Sequence, residues 1–338
     1  MRKYTIETAF GIDQLHLTEC AAPVAVPGQV LVRIGACSLN YRDYLMVTGA
    51  YARNLPLPLV PLSDGAGVVA AVGPGVSRWQ VGDRVVGTFF QGWLAGRLRA
   101  EHAKTALGGA IDGVLAEQVL FREEGLLPVP EHLSLAEAAC LPCAGVTAWH
   151  CLYGGGLTCG DTVLVLGSGG VSCLALQLAK AAGCRVLATT GSAAKEQRLR
   201  DLGADGVINY REQPAWEKEV LRLTDGLGVD IVVETGGAGT LLQSIKATRF
   251  GGRISLIGVL AGQQGEMNPL PAVMKGVTIQ GVYVGSREMF EAMNRVLTLH
   301  RIHPVIDRAF PFEQAREALQ HLASGAHFGK VVISLEGV

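Results

Sequence analysis

Two hydrophobic periodicities share this chain, and one gives way to the other near its middle. Up to about Phe121 short stretches alternate apolar and polar positions, as in Gln29-Val30-Leu31-Val32-Arg33-Ile34, Gly67-Val68-Val69-Ala70-Ala71-Val72 and Asp83-Arg84-Val85-Val86. Such runs, broken by the turn signals Gly73-Pro74-Gly75 and Val81-Gly82-Asp83, predict strands of a β-rich, barrel-like domain. Ser134 to His150 carries helical spacing. From Asp161 onward apolar runs alternate with helical segments: strand 163–167, helix 171–182, strand 185–189, helix 193–202, strand 230–234, helix 239–248 and strand 253–258. Further strands are expected within 203–210 and 276–283, helices at 289–299 and 312–323, and a last strand at 330–334. Continuous apolar strands separated by helices are what a parallel sheet covered on both faces requires. The expected class is therefore α/β, with a doubly wound parallel sheet following the β-rich part. The last strand is expected to return to the first domain, so that residues 1–125 and 285–338 form one domain and 126–284 an inserted second one.

Composition narrows the class. At 338 residues the chain is too long for one compact core, and 49% hydrophobic against 17% charged residues marks a tightly packed enzyme rather than a disordered chain. A net charge of −1 offers no field to gather nucleic acid or anionic membrane, so neither is an expected partner. No apolar run reaches the ~18 residues of a membrane span. Met1-Arg2-Lys3-Tyr4-Thr5 lacks the apolar core of a signal peptide, and the eight cysteines are scattered through apolar segments, which reads as reduced thiols in a cytoplasmic protein.

The densest signal is Thr162-Val163-Leu164-Val165-Leu166-Gly167-Ser168-Gly169-Gly170-Val171-Ser172. An apolar strand runs into a glycine turn and directly on into an apolar helix, which aims backbone N–H groups at one point and suits a pyrophosphate. Gly167 permits the turn, Gly169 permits close approach of a phosphate, and Ser172 stands where a third glycine is usual. The next strand ends in Thr189-Thr190-Gly191-Ser192, with Lys195 and Arg198 inside the following helix. An NAD enzyme places a carboxylate there, roughly 20 residues past the first glycine, to hold the ribose hydroxyls. Hydroxyls and cations suit a 2′-phosphate instead, so NADP is expected, with NAD possible. The plainer reading is that Ser192 caps a helix whose Lys195 faces water.

The ordered set Gly65-Ala66-Gly67-Val68-Val69, Gly82-Asp83-Arg84-Val85, Gly113-Val114-Leu115-Ala116-Glu117, Gly145-Val146-Thr147-Ala148-Trp149 and the Gly167 loop resembles the medium-chain dehydrogenase/reductase superfamily almost end to end. The resemblance implies a GroES-like catalytic domain, an inserted Rossmann domain and a cleft between them for hydride transfer. Zinc alcohol dehydrogenases of that family carry Cys where this chain has Asn40, and Gly-His-Glu where it has Leu62-Ser63-Asp64; Cys143 alone falls on a ligand position. Their four-cysteine structural lobe would fall between Gly87 and Gly113, which contains no cysteine. No zinc is expected, a rearranged site on Cys37 and Cys143 being the one route to it. The chain is more similar to the zinc-independent quinone oxidoreductase branch, through Ser38-Leu39-Asn40-Tyr41-Arg42-Asp43 and through Asn209-Tyr210-Arg211, whose tyrosine lies beside the NADP 2′-phosphate in that branch.

Without zinc, hydrogen-bond donors must polarise the substrate carbonyl. Asn40 is the first candidate, or else it ties down its own loop. Tyr41 either donates or packs, Asp43 orients, and Ser63 and Asp64 touch substrate or stabilise their turn. The resemblance places Thr147 under the nicotinamide and the Val284-Gly285-Ser286-Arg287 segment along it; Arg287 reaches a phosphate or the substrate, or simply starts a helix. Thr235, Gly258 and Val259 follow strand ends, where such sheets bind ligands. Lys330 approaches the cofactor or sits on the surface. Phe89, Phe90 and Trp93 either line a pocket for a flat apolar substrate or fill space left by the missing lobe. The eight histidines show no ligand spacing. The expected activity is NADPH-dependent hydride transfer to a carbonyl, enone or quinone; the alternatives are an NAD(P)-dependent alcohol dehydrogenase and a nicotinamide-nucleotide-binding protein without turnover. The apolar strand Val277 to Val284 would be a sheet edge, so a homodimer joined along it is expected.

Overall fold

A computed structural model describes residues 1–51, 55–262 and 264–335. The chain forms two compact units, Met1–Val146 with Gly285–Val338, and Thr147–Val284; of the expected first domain, residues 52–54 and 336–338 lie outside the described residues. The expected boundary at 125/126 needs correction. Leu126–Pro128 is a strand paired with Arg84–Gly87, and the Cys143 N–H donates to Asp64, so the chain stays with the first unit until Val146.

In the first unit a mixed sheet is built around one long strand, Gln29–Leu39. Asp64–Val72 pairs antiparallel on one side of it, with Ser38 opposite Asp64. Lys330–Ser334 pairs antiparallel on the other, with Val331 opposite Leu39. The last strand thus does return to the first unit. These registers place Asn40, Asp64 and Lys330 at one end of three neighbouring strands. Below them, Val30, Val32, Ile34, Leu39, Val69, Val331 and Ile333 form the apolar core with Leu319 and Phe121.

The second unit holds six parallel strands in the order Gly206–Asn209, Arg185–Thr190, Thr162–Leu166, Val229–Glu234, Thr248–Leu256, Thr278–Gly281. Counted along the chain that is third, second, first, fourth, fifth, sixth, the doubly wound order in which ligands bind where the winding reverses, beyond the carboxyl end of the first strand. Thr278–Gly281 is the outermost strand.

Two helices of the second unit escaped the pattern, Trp216–Leu223 and Leu270–Lys275. The first is amphipathic but short, burying Trp216 and Val220 on the sheet. The second follows Pro269 and buries no side chain, so no apolar stripe betrays it. The expected helix over Ser134 to His150 breaks into Leu135–Ala139, a π-helical turn at Leu141–Gly145, and Val146–Tyr153. Pro142 has no N–H to give, and the N–H of Cys143 goes to a carboxylate oxygen of Asp64 at 3.0 Å, so the ladder is interrupted by a contact from another strand.

Candidate active site

Strand pairing brings five predicted residues of the first unit together. Asn40 ends the long central strand in extended backbone and caps the helix Tyr41–Val47, where the Asp43 carboxylate accepts the Asn40 N–H at 2.8 Å. Ser63 and Asp64 follow Leu62, which is held at φ +70°. That left-handed backbone is costly for leucine, and the segment after Gly113 enforces it: Val114 N–H donates to the Leu62 carbonyl at 3.0 Å. A Cβ on Gly113 would lie 2.0 Å from that same oxygen, so only glycine fits there. Ser63 and Asp64 are wholly buried, and the Ser63 hydroxyl donates to Asp64 at 2.6 Å.

Lys330 is the departure from expectation. It is 3% exposed, not a surface lysine, and its ammonium donates to the Leu39 carbonyl and to Oδ1 of Asn40, both at 2.6 Å. The signal was available: a lysine opening an apolar strand that pairs on both sides has no solvent to reach. Asn40 is 9% exposed, and its Nδ2 has no hydrogen-bond partner. Its amide faces the Asp64 carboxyl and helps, as a weak donor, to hold that carboxyl down, although no full hydrogen bond forms between them.

The electrostatics follow from burial. Loss of water pushes the Asp43 carboxyl up to about 6, against the pull of the Arg42 guanidinium, the Asn40 N–H and the Lys330 ammonium, with Asp64 adding to the rise. Burial likewise raises Asp64, opposed chiefly by Lys330 and then by Ser63. The Arg42–Asp43 pair is loose, 3.7 Å apart, because the guanidinium also donates to the Leu107 carbonyl at 2.9 Å and lies over the Phe89 ring. Tyr41 is 39% exposed beside Tyr44, neither buried nor hydrogen-bonded in the site. Phe89, Phe90 and Trp93 are buried and meet edge to face.

In the second unit Gly167 takes φ +80°, the turn that glycine was expected to provide. A Cβ on Gly169 would meet nothing within 4 Å, so the space in front of the loop is open. Gly169 caps the twelve-residue helix Gly170–Ala181 without any side chain, which leaves the first-turn N–H groups directed at that space. Ser172 does more than permit packing: its hydroxyl donates to the Leu166 carbonyl at 2.7 Å, and Thr235 donates to the same oxygen at 3.0 Å. Gly258 packs on Thr235, where a Cβ would come within 2.4 Å of the Thr235 carbonyl, and Val259 is 40% exposed. Ser192 stands at a helix start but its side chain makes no cap, so the capping explanation of that hydroxyl fails. Tyr210 lies across Gly191, beside Ser192, while Thr190 is buried. Two carboxylates were missed there: Glu196 and Glu212 both accept from the Asn209 amide at 2.9 Å. Thr147 is buried at the start of the second unit. Arg287, in the first unit, is neither a solvated helix start nor a free cation. It is 7% exposed and bound to Glu291 and to the Glu124 carbonyl, and the Ser286 hydroxyl caps the same helix by accepting from Met289 N–H.

Residues 26–131 match the alcohol dehydrogenase GroES-like domain, and residues 170–298 the zinc-binding dehydrogenase domain. A zinc-type alcohol dehydrogenase-like protein of Schizosaccharomyces pombe is 42% identical over 335 residues, covering 96% of each chain. The chain belongs to the medium-chain dehydrogenase/reductase superfamily. Mouse (Mus musculus) quinone oxidoreductase is 30% identical over 346 residues, covering 99% of this chain and 98% of its own. The crystal structure of an NAD-dependent alcohol dehydrogenase, 36% identical, superposes with a TM-score of 0.91 over 99% of this chain and 100% of its own. The protein is an oxidoreductase of this superfamily, whose members bind nicotinamide cofactors and act on small molecules. No helix among the described residues is long and apolar enough to cross a membrane.

The zinc implied by the matched domain's description does not suit the residues present. Asn40 Oδ1 already binds an ammonium. The Cys37 thiol is buried and donates to the Val114 carbonyl at 3.1 Å. Among the described residues no three His, Cys, Asp or Glu side chains cluster as a ligand set.

Proposed function

We propose that the protein is a zinc-independent, NADPH-dependent reductase of conjugated carbonyls or quinones. The observation that carries this reading is the Asn40 amide, buried, held at its oxygen and left with an unpaired N–H donor. A fixed donor aimed at the oxygen where charge develops does without metal what a Lewis acid does with it. A reduced nicotinamide, when bound, supplies the hydride. The backbone of Gly167, Ser168, Gly169, Gly170 and Val171 holds its pyrophosphate; Thr190, Ser192, Lys195 and Tyr210 surround the 2′-phosphate; Thr235, Gly258, Val259 and Thr147 line the remainder. Asn40 stabilises the developing alkoxide or enolate, Asp43 and Asp64 hold its loop, and water delivers the completing proton. In this reading the enzyme works as a cytoplasmic homodimer joined along Thr278–Gly281.

Asn40→Ala is expected to lower kcat by ~10²-fold in NADPH oxidation with a quinone and an enone panel, with cofactor affinity nearly unchanged. Undiminished turnover removes Asn40 from the chemistry, and stoichiometric zinc in the purified protein removes the metal-free mechanism. A second reading, an NAD-dependent alcohol dehydrogenase, is favoured by the carboxylates of Glu196 and Glu212 on the Asn209 amide. Lys195→Ala separates the two: it should weaken NADPH at least tenfold more than NADH in a fluorescence titration, and equal weakening selects NADH.

A further inference from the structure

We propose that Lys330 is a positioning residue for hydride transfer, holding the Asn40 amide by its oxygen so that the NH₂ end is the one presented to the substrate. The inference rests on the reading of Asn40 as the carbonyl-polarising donor. The two ends of an asparagine amide are nearly the same size, and packing alone scarcely chooses between them. A lysine ammonium can only donate, so its 2.6 Å contact identifies the partner atom as oxygen and settles which end is left over. The ammonium is itself anchored, because a second N–H goes to the Leu39 carbonyl at 2.6 Å on the strand that ends in Asn40. Both side chains are at least nine-tenths buried, so water does not compete for either contact.

The leftover end is the unusual feature. Nδ2 of Asn40 is buried and meets no acceptor in hydrogen-bond geometry, the Asp64 carboxyl being the group it influences, and a buried donor left so is costly. The folded site retains that orphan, and a carbonyl oxygen of the substrate would relieve it. A cation on the amide oxygen also draws electrons from nitrogen, making each remaining N–H a stronger donor. Lys330 meanwhile opposes the carboxylates of Asp43 and Asp64, and so keeps their negative charge from working against the oxyanion that forms. Lysine therefore does here, through one amide, what a metal does by direct contact in the zinc relatives.

Lys330→Met tests this in two backgrounds. In the otherwise unchanged enzyme it should lower kcat by ~10²-fold, with KM and NADPH affinity changed less than threefold. In an Asn40→Ala background it should cost less than threefold more, because the residue it positions is already gone. A full additional loss in that background shows that Lys330 acts without Asn40 and overturns the proposal. A harmless Asn40→Ala, by contrast, removes the earlier reading. Should the methionine variant fail to fold, Lys330→Gln keeps a neutral donor for Oδ1 and should lose about tenfold in kcat with the same lack of additivity. A measurement without turnover completes the test: the Asn40 side-chain NH₂ pair, assigned by nuclear magnetic resonance in the nucleotide-bound protein, should shift and exchange faster with solvent on either substitution. An unmoved pair overturns the proposal.

Discussion

Gly169→Val should reduce nicotinamide-nucleotide affinity by at least ~10²-fold while leaving the fold in place. The separation follows from two facts about one residue. Its backbone, at φ −79° and ψ −178°, is extended and open to any amino acid, and a Cβ there meets no atom of the protein within 4 Å. Valine is therefore accommodated, its cost limited to about 1 kcal/mol for exchanging a good helix cap for a poor one. The space that valine fills is the space in front of the uncapped helix start, where a pyrophosphate takes up orphaned N–H groups. Gly167 would not give so clean a result, because φ +80° makes any side chain there strain the loop itself. Isothermal titration with NADPH and NADH, beside a thermal melt, checks the prediction. Retained affinity would mean that the nucleotide does not lie across this loop, and a collapsed melting temperature would mean that Gly169 serves the fold.

That loop was also the part most legible in the sequence, for a physical reason. A strand, a glycine turn and a helix adjoin in the chain, so local periodicity and the φ demand of Gly167 carry the whole arrangement. Thr162–Leu166 and Val229–Glu234 were legible in the same way, as short apolar runs, whereas Thr278–Gly281 holds a single large apolar residue, Ile279. The site around Asn40 was legible only in its members. Asn40, Asp64 and Lys330 meet through the registers of three strands far apart in sequence, and no local pattern records a register. Lys330 was accordingly read as a surface lysine or a cofactor contact, although it lies against Asn40. The boundary of the first unit was misplaced for a related cause: Leu126–Pro128 is three residues long and pairs with a strand forty positions earlier, so it leaves almost no periodic trace. Ser286 and Arg287 show the converse limit. Their residue types suited a phosphate, but a carbonyl, a carboxylate and a helix end had taken up their hydrogen bonds first.

Glu234→Ala should be the most damaging single substitution in the second unit, lowering its stability by about 3–5 kcal/mol. Glu234 ends the fourth strand in the winding, and its side chain is wholly buried. One carboxylate oxygen accepts from the N–H groups of Gly236 and Gly237 and from the Thr240 hydroxyl, at 2.7, 3.1 and 2.6 Å; the other accepts from Ser244. Removing it strands two backbone donors in a turn where Gly237 is at φ +83°, packed on the backbone of Gly258 and Val259. The turn would have to open for water to reach those donors, and Thr235, Gly258 and Val259 would move with it. Loss of stability should therefore come with loss of nucleotide affinity. Glu234→Gln is the discriminating control, because it keeps one oxygen for three of the four donors and the same volume, and should cost only about 1 kcal/mol. Urea unfolding of both variants, with and without saturating NADPH, measures the difference. If alanine and glutamine prove equally harmful, charge rather than hydrogen-bond acceptance is what the turn requires; if alanine is harmless, the turn is held by the glycine packing alone.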